Sequence, residues 1–518
     1  MHAPRLPSDC LEYIFDYLTT RQSLRSAGLV NKEWNATAMP ILWSSTFASI
    51  NPKIIPVYIK FLPHEVRTKL KLEDESFHKS TTMITKLSNQ RPIFDYAACI
   101  HHLDFYIIYM SAVYYYHLLS NESARKFFEG RKVCIKSALL ARELIQMFIK
   151  RSRSIRTLVF VKSRRYALRP VIFSPIKIEI TAESLRNLRF LSFSGCSNLL
   201  QDMAKVCTQI EQLAVRNINA NINKDVKALG ELIAAQTRLT CLSITNTNCE
   251  TLATIMKESL LTSHKTLKIV SLSACDIGEK VLNWLANCEN LVKLTLDKCR
   301  FNELPKSFQL SMESFSKLNE LRVLRYGPPP EIFCSLLKNS NSSLRVLSLP
   351  LNGNLYPNNL LHIANSCPNL EWLSTEITYS SFPQIQTLFK KCRKLKALQF
   401  IDGEILESFE EETEEIMIED ADGQYLKNLA PDVPPSMTDF AICTRKCFIS
   451  TDVNDFLKNI SCKLHTFRYL YYGCIVEHLS AIDDYANSIG KTYKENILSG
   501  SVTFGYLGIH FTDENEEI

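Results

Sequence analysis

The residues best equipped for chemistry lie late in the chain: Cys443, Cys447, Cys462, His465, Cys474 and His478. Their spacings (Cys-x3-Cys, Cys-x2-His, Cys-x3-His) approach those with which thiolates and imidazoles hold a tetrahedral zinc. Cys99 with His101 and His102 forms a second, poorer set. Against a metal stands a periodicity, set out below, that puts Cys443, Cys447 and Cys462 at or beside strands for reasons of packing. The expectation is therefore no metal and no other cofactor. The chain has no glycine-rich phosphate loop, metalloprotease helix or hydrolase elbow. Its 14 glycines in 518 residues are few for an enzyme built on tight anion-binding turns. The sequence points to a non-catalytic protein.

Composition narrows the class. A hydrophobic share of 46% and a charged share of 22% are ordinary for a soluble protein with an ample core. A net charge of +6 gives no reason to expect nucleic acid, and there is no basic helix, RNP-like aromatic run or zinc-finger spacing. Asp9, Glu12 and Asp16 stand where a secretory signal would need an unbroken apolar run. The uncharged stretch between Asp104 and Glu122 is rich in Tyr and too short to cross a bilayer, so it reads as a buried aromatic helix, with no membrane partner. The 17 cysteines are odd in number and scattered, which suits free thiols and a cytosolic or nuclear location.

The elements that would position these residues repeat. From Leu188 the phrase Leu-x-x-Leu-x-Leu recurs, at Leu188-x-x-Leu191, Ile210-x-x-Leu213, Leu239-x-x-Leu242, Leu267-x-x-Val270, Leu291-x-x-Leu294 and Leu318-x-x-Leu321. It goes on through Leu344-x-x-Leu347 and Leu395-x-x-Leu398, with only its first half at Leu370-x-x-Leu373 where Thr375 takes the third slot, at about 26 residues per step. Weaker copies start at Ile155, Met437 and Leu464, and Val502 to Phe511 suits a last capping strand. Cys196, Cys275 and Cys299 fall in the slot just past the strand, with Asn352 in the same place; Cys207, Cys288, Cys367 and Cys392 each stand three residues before the first Leu. Helical periodicity fills the second half of each step, as in Asp225–Ala235. Parallel strands on one side and helices on the other predict an α/β repeat solenoid, with an array over residues 151–511 and a short tail at 512–518. The array resembles cysteine-containing leucine-rich repeats. Residues 46–150 read as a helical connector with possible degenerate repeats. Residues 402–422 carry eleven Asp/Glu and no Lys or Arg, as a solvated acidic loop does.

The first 45 residues follow neither pattern. Leu11, Ile14, Phe15 and Leu18 share one helical stripe, with Asp9 and Glu12 placed as a capping box. Taken together, Leu6-Pro7, Leu11, Ile14-Phe15, Leu18, Leu24, Leu29-Val30, Asn31-Lys32, Trp34, Pro40 and Leu42-Trp43 resemble an F-box. That resemblance implies a small all-α module docking a Skp-type adaptor, and through it a cullin–RING ubiquitin ligase. On it, Leu6, Pro7, Leu11, Ile14, Phe15, Leu18, Pro40 and Trp43 are the expected adaptor contacts, with Val30 and Trp34 mainly structural. The array would then bind a protein substrate for ubiquitination. Side chains leaving the strands on the open face include Lys293, Lys298, Arg322 and Arg325, a basic spot with Trp372 two repeats on as an anchor, suited to an acidic or phosphorylated segment. The competing expectation is a leucine-rich-repeat interaction scaffold acting outside a cullin ligase.

Overall fold

The computed structural model describes residues 6–18, 20–70, 94–119, 131–152, 154–160, 182–194, 197–218, 223–259, 263–301, 304–305, 308, 310–311, 313–349, 359–375, 382–401, 419–420, 424–443, 446–472, 475–499 and 504–512. By compactness the chain divides into two units, one of residues 1–242 with 254–266 and one of residues 243–253 with 267–518.

The first unit opens with three short helices, α1 (Ser8–Asp16), α2 (Arg21–Gly28) and α3 (Lys32–Ser44). Sequence expects Asp9 and Glu12 to cap α1. Instead the helix starts two residues earlier, from Pro7, whose carbonyl accepts from Cys10 N at 3.0 Å and Leu11 N at 3.1 Å. Asp9 sits in the first turn, where its charge favours the helix dipole. The other two helices are side-chain capped: Thr20 Oγ1 accepts from Ser23 N at 3.0 Å, and Asn31 Oδ1 from Trp34 N at 2.8 Å. Each such cap is worth about 1 kcal/mol.

Two longer helices, α4 (Phe105–Leu119) and α5 (Arg131–Arg151), follow, together with parallel strands β1 (His102–Asp104), β2 (Thr157–Phe160), β3 (Phe190–Ser194) and β4 (Gln212–Arg216). In register, Leu103, Leu158, Leu191 and Leu213 stand side by side at 0–1% exposure. The parallel sheet thus begins at His102, inside the stretch that sequence assigns to a connector. Gln236, 1% exposed, joins neighbouring repeats through its amide: Oε1 accepts from Ile210 N at 2.9 Å, and Nε2 donates to Cys207 O at 2.6 Å and Leu232 O at 2.7 Å.

The second unit continues the same grammar. Parallel strands β5 (Ile269–Ser273), β6 (Lys293–Asp297), β7 (Glu320–Leu324), β8 (Val346–Ser348), β9 (Trp372–Ser374), β10 (Ala397–Ile401), β11 (Asp439–Cys443) and β12 (Thr466–Tyr472) lie in chain order. One rung runs through Val270, Leu294, Leu321, Leu347, Leu373, Leu398, Phe440 and Phe467, none more than 1% exposed. Helix residues close over it, as Phe389 and Phe456 do on Phe440, with ring centroids 6.4 and 5.4 Å apart. The sheet ends in an antiparallel pair, β13 (Thr492–Ser499) and β14 (Phe504–Thr512), with β14 against β12. Sequence anticipates the last strand and misses β13.

Several turns after strands use a left-handed residue, among them Asn246 (φ 59°), Ala274 (φ 51°), Lys298 (φ 52°) and Arg325 (φ 72°). The N–H of Asn246, Ala274 and Lys298 donates to the next strand's Ser273, Asp297 and Leu324 carbonyls. The following Cys is buried and its thiol donates backwards: Cys275 to Ile244 O at 3.5 Å, Cys299 to Leu272 O at 3.3 Å. Burial pushes the thiols of Cys207, Cys288, Cys299, Cys367 and Cys392 up to about 12. Cys196 and Asn352, placed in the same slot by sequence, lie outside the described residues.

Candidate docking surfaces

In the three-helix head, the apolar stripe divides. Leu11 and Phe15, each 1% exposed, join Leu24, Ala27 and Ala38 in a small core, with Leu18, Trp34, Ile41 and Leu42 packed against it. Trp34 meets Phe15 edge-on at 5.2 Å. α3 is tied to the end of α2, where Asn35 Nδ2 donates to Gly28 O at 2.7 Å. Leu11 and Phe15, expected as adaptor contacts, therefore hold the head together.

Trp43 also turns inward. It stacks on Tyr96 at 4.1 Å and meets Tyr58 edge-on at 5.8 Å, while Phe47 stacks on Tyr58 at 5.5 Å. His101 N donates to Ser44 O at 2.9 Å and Arg21 Nη2 to Ser45 O at 2.6 Å. The ring contacts and the His101–Ser44 bond fasten the end of α3 to the body of the first unit, while Arg21 ties it to α2. Trp43, also expected to touch the adaptor, is an internal anchor.

What remains outside is still apolar. Leu6 (48% exposed), Pro7, Ile14 (45%) and Pro40 are exposed, and so are Leu29 (78%) and Val30 (58%) just past α2. Val30, expected to be structural, is therefore a surface residue. Leu29 was a signal passed over: two large apolar residues directly after Gly28 have no helix stripe to join. Leu18, Ala27, Val30 and Trp34 also line an open depression of about 600 Å³ with Thr20, Gln22, Ser23 and Ser26. Tyr13 and Tyr17 stand exposed beside Ile14, their hydroxyls 2.9 Å apart.

On the open face of the second unit the basic spot is less basic than its sequence. Glu320, from the same strand as Arg322, sits between the cations: Lys293 Nζ is 2.8 Å and Arg322 Nε 2.5 Å from its Oε1. Burial pushes the Glu320 carboxyl up, but the hydrogen bonds from Lys293 and Arg322 outweigh it and hold the group below the usual carboxylate range. Arg322 also lies over the Trp372 ring, 5.6 Å from its centroid. Lys298 and Arg325 are exposed at the strand ends in the left-handed slot. A second cluster, which sequence reasoning missed, joins Glu371 to Arg345 at 2.7 Å and Lys396 at 2.8 Å.

Of the six candidate metal ligands, Cys462, His465 and His478 have described side chains. Cys462 is buried with its thiol pushed up to about 11, His465 is exposed, and His478 is fully buried with Nδ1 3.2 Å from Tyr469 Oη. Cys474 lies outside the described residues, among which no group of three or more metal-ligating side chains comes together. Burial, with Arg156 and His102 nearby, lowers His101 to about 4, and burial raises the Cys99 thiol. The acidic run lies outside the described residues apart from Glu419 and Asp420, which pair in parallel with Lys446 and Cys447. Among the described residues no helix is long and apolar enough to cross a membrane.

Fold and surfaces together define a class: a small helical head with an apolar exterior, followed by parallel strand–helix repeats. The head has a family. A family model described as F-box-like matches residues 3–49, and these residues carry an F-box-like domain. No curated protein matches the chain. Among solved structures, an internalin (inlF) from Listeria monocytogenes is 15% identical, covering 54% of this chain and 74% of that one at a TM-score of 0.30. TLR13 in its complex with ssRNA13 is 14% identical, covering 60% of this chain and 54% of that one at a TM-score of 0.25.

Proposed function

We propose that this chain is the substrate-recognition subunit of a Skp–cullin–F-box ubiquitin ligase, with its head docking a Skp-type adaptor and its array holding a protein substrate. The observation that carries this is the head's surface. Its core is complete with Leu11, Phe15 and Leu24, yet Ile14, Leu29 and Val30 remain apolar and outside. Large apolar side chains left exposed in this way are stabilised by burial against another polypeptide. Ile14, Leu29, Val30 and the depression beside α2 are the adaptor surface. Leu6, Pro7 and Pro40 lie at its margins.

In such an assembly the receptor performs no bond chemistry; it raises the local concentration of substrate near the ubiquitin-loaded enzyme and orients it. The chain is thus a non-catalytic subunit that works in the cytosol or nucleus, where buried thiols such as Cys275 and Cys299 stay reduced. The test is co-purification of the tagged full chain from cells. A Skp-type adaptor and a cullin are expected with the native chain and are lost with Ile14→Asp. Retention of neither by the native chain would leave a repeat scaffold outside any cullin ligase.

A further inference from the structure

The open face of the second unit carries a line of polar side chains that point away from its core. Thr295, Arg322, Ser348, Ser374 and Gln399 are register partners on five successive strands. Arg322 is flanked by Leu321 and Val323, both 0% exposed, so the alternation of the strand turns it away from the core. Neighbouring strands lie about 4.8 Å apart, which sets these side chains along a track across the sheet. Among the described residues, the hydroxyls of Thr295, Ser348 and Ser374 and the amide of Gln399 have no side-chain partner in the fold.

Arg322 is the fixed point of this track. Glu320 holds its Nε at 2.5 Å and the Trp372 ring backs its guanidinium at 5.6 Å. Its terminal amino groups, like the Trp372 indole N–H, meet no acceptor among the described residues. An arginine held on two sides loses little side-chain entropy when it binds. The charge beside it sets the ligand. Lys293 and Arg322 share Glu320, so this group carries one net positive charge, and the Glu320 carboxylate opposes any dianion brought to the same guanidinium.

We infer that this track binds an extended segment of a partner polypeptide lying across β6 to β10, with an Asp or Glu carboxylate seated on Arg322 beside the Trp372 indole. This rests on the receptor reading above and names the substrate chemistry: a singly charged acidic side chain, not a phosphate. The half-buried Thr295 and Ser374 hydroxyls and the Gln399 amide meet the segment's backbone groups on either side, while Ser348, 6% exposed, lies beneath it.

Randomised nonapeptide libraries with a fixed central Glu, Gln or phosphoserine, titrated by fluorescence anisotropy against the full chain, test it. The Glu library is expected to bind at least about tenfold tighter than the Gln library and no weaker than the phosphoserine one, with salt weakening it. Arg322→Gln is expected to erase the Glu preference, Arg322→Lys to keep part of it, and Trp372→Phe to weaken binding through loss of the N–H. Unchanged thermal unfolding checks that each variant is folded. Equal binding of Glu and Gln, tighter binding of phosphoserine, or no binding of any library overturns the inference. Adaptor capture is measured on the same samples: if it persists while the Glu preference is absent, this inference alone fails, and the reverse outcome removes the ligase reading instead.

Discussion

Leu321 and Leu29 are the same side chain in opposite circumstances. Leu321 sits on an eight-membered rung at 0% exposure, whereas Leu29 follows α2 in the head and is 78% exposed. Every repeat has a neighbour of its own kind to cover its apolar rows, so the array completes its core from within the chain. A head of about 40 residues has no such neighbour. It closes a minimal core and anchors one end through Trp43 on Tyr96, leaving Ile14, Leu29 and Val30 exposed. Burial in the array maintains the fold; exposure on the head is available for binding.

That contrast can be broken by chemistry first. With a thiol-specific alkylating reagent at pH 8, Cys10, exposed on α1, is expected to react in the folded protein. Cys288, Cys299, Cys367 and Cys392 are buried, with thiols pushed up to about 12, and are expected to react only after unfolding. Peptide mapping of the modified protein reads this directly. Next in size is the pair of leucines. Leu321→Ala is expected to cost about 3 kcal/mol in urea unfolding through the cavity it leaves, and Leu29→Ala less than about 0.5 kcal/mol. Comparable losses at the two positions would erase the distinction.

A polar counterpart inside the array follows. Gln236→Leu removes three hydrogen bonds and leaves the Ile210 N–H and Cys207 carbonyl buried without them. The expected loss is about 2 kcal/mol by the same urea measurement. The smallest effect has the opposite sign. Ala274 holds φ 51° at an exposed turn, so Ala274→Gly is expected to stabilise by up to about 1 kcal/mol. A destabilisation there would mean that the turn tolerates its left-handed residue without strain.

Much of the array is legible in the chain because each feature is repeated. The Leu-x-x-Leu-x-Leu rung and the cysteine slots of Cys275 and Cys299 stand where the periodicity puts them. The start of the sheet at His102–Asp104 is marked only by a degenerate copy, Ile100-x-x-Leu103-x-Phe105, which stands 55 residues before Ile155 and so falls outside the regular period. At the head, the motif identifies the module but not the direction of its side chains. Leu11, Ile14, Phe15 and Leu18 lie on one stripe by spacing, yet a helix packed against two others buries only part of a wide stripe. Leu11→Asp and Phe15→Asp would thus unfold the head rather than merely release a partner. On the open face, spacing selects Arg322 and Trp372, but only the coordinates bring Glu320 between Lys293 and Arg322 and change the charge of the site.

The central claim is that the head is folded by its inward residues and binds by its outward ones. Calorimetric titration of purified full chain with a purified Skp-type adaptor tests it most directly, using native protein and a Leu29→Asp, Val30→Asp double variant. The account predicts saturable one-to-one binding for the native chain. It predicts at least about a hundredfold weaker binding for the variant, with an unchanged unfolding curve. Binding that survives the double substitution, or no binding by the native chain, would contradict it.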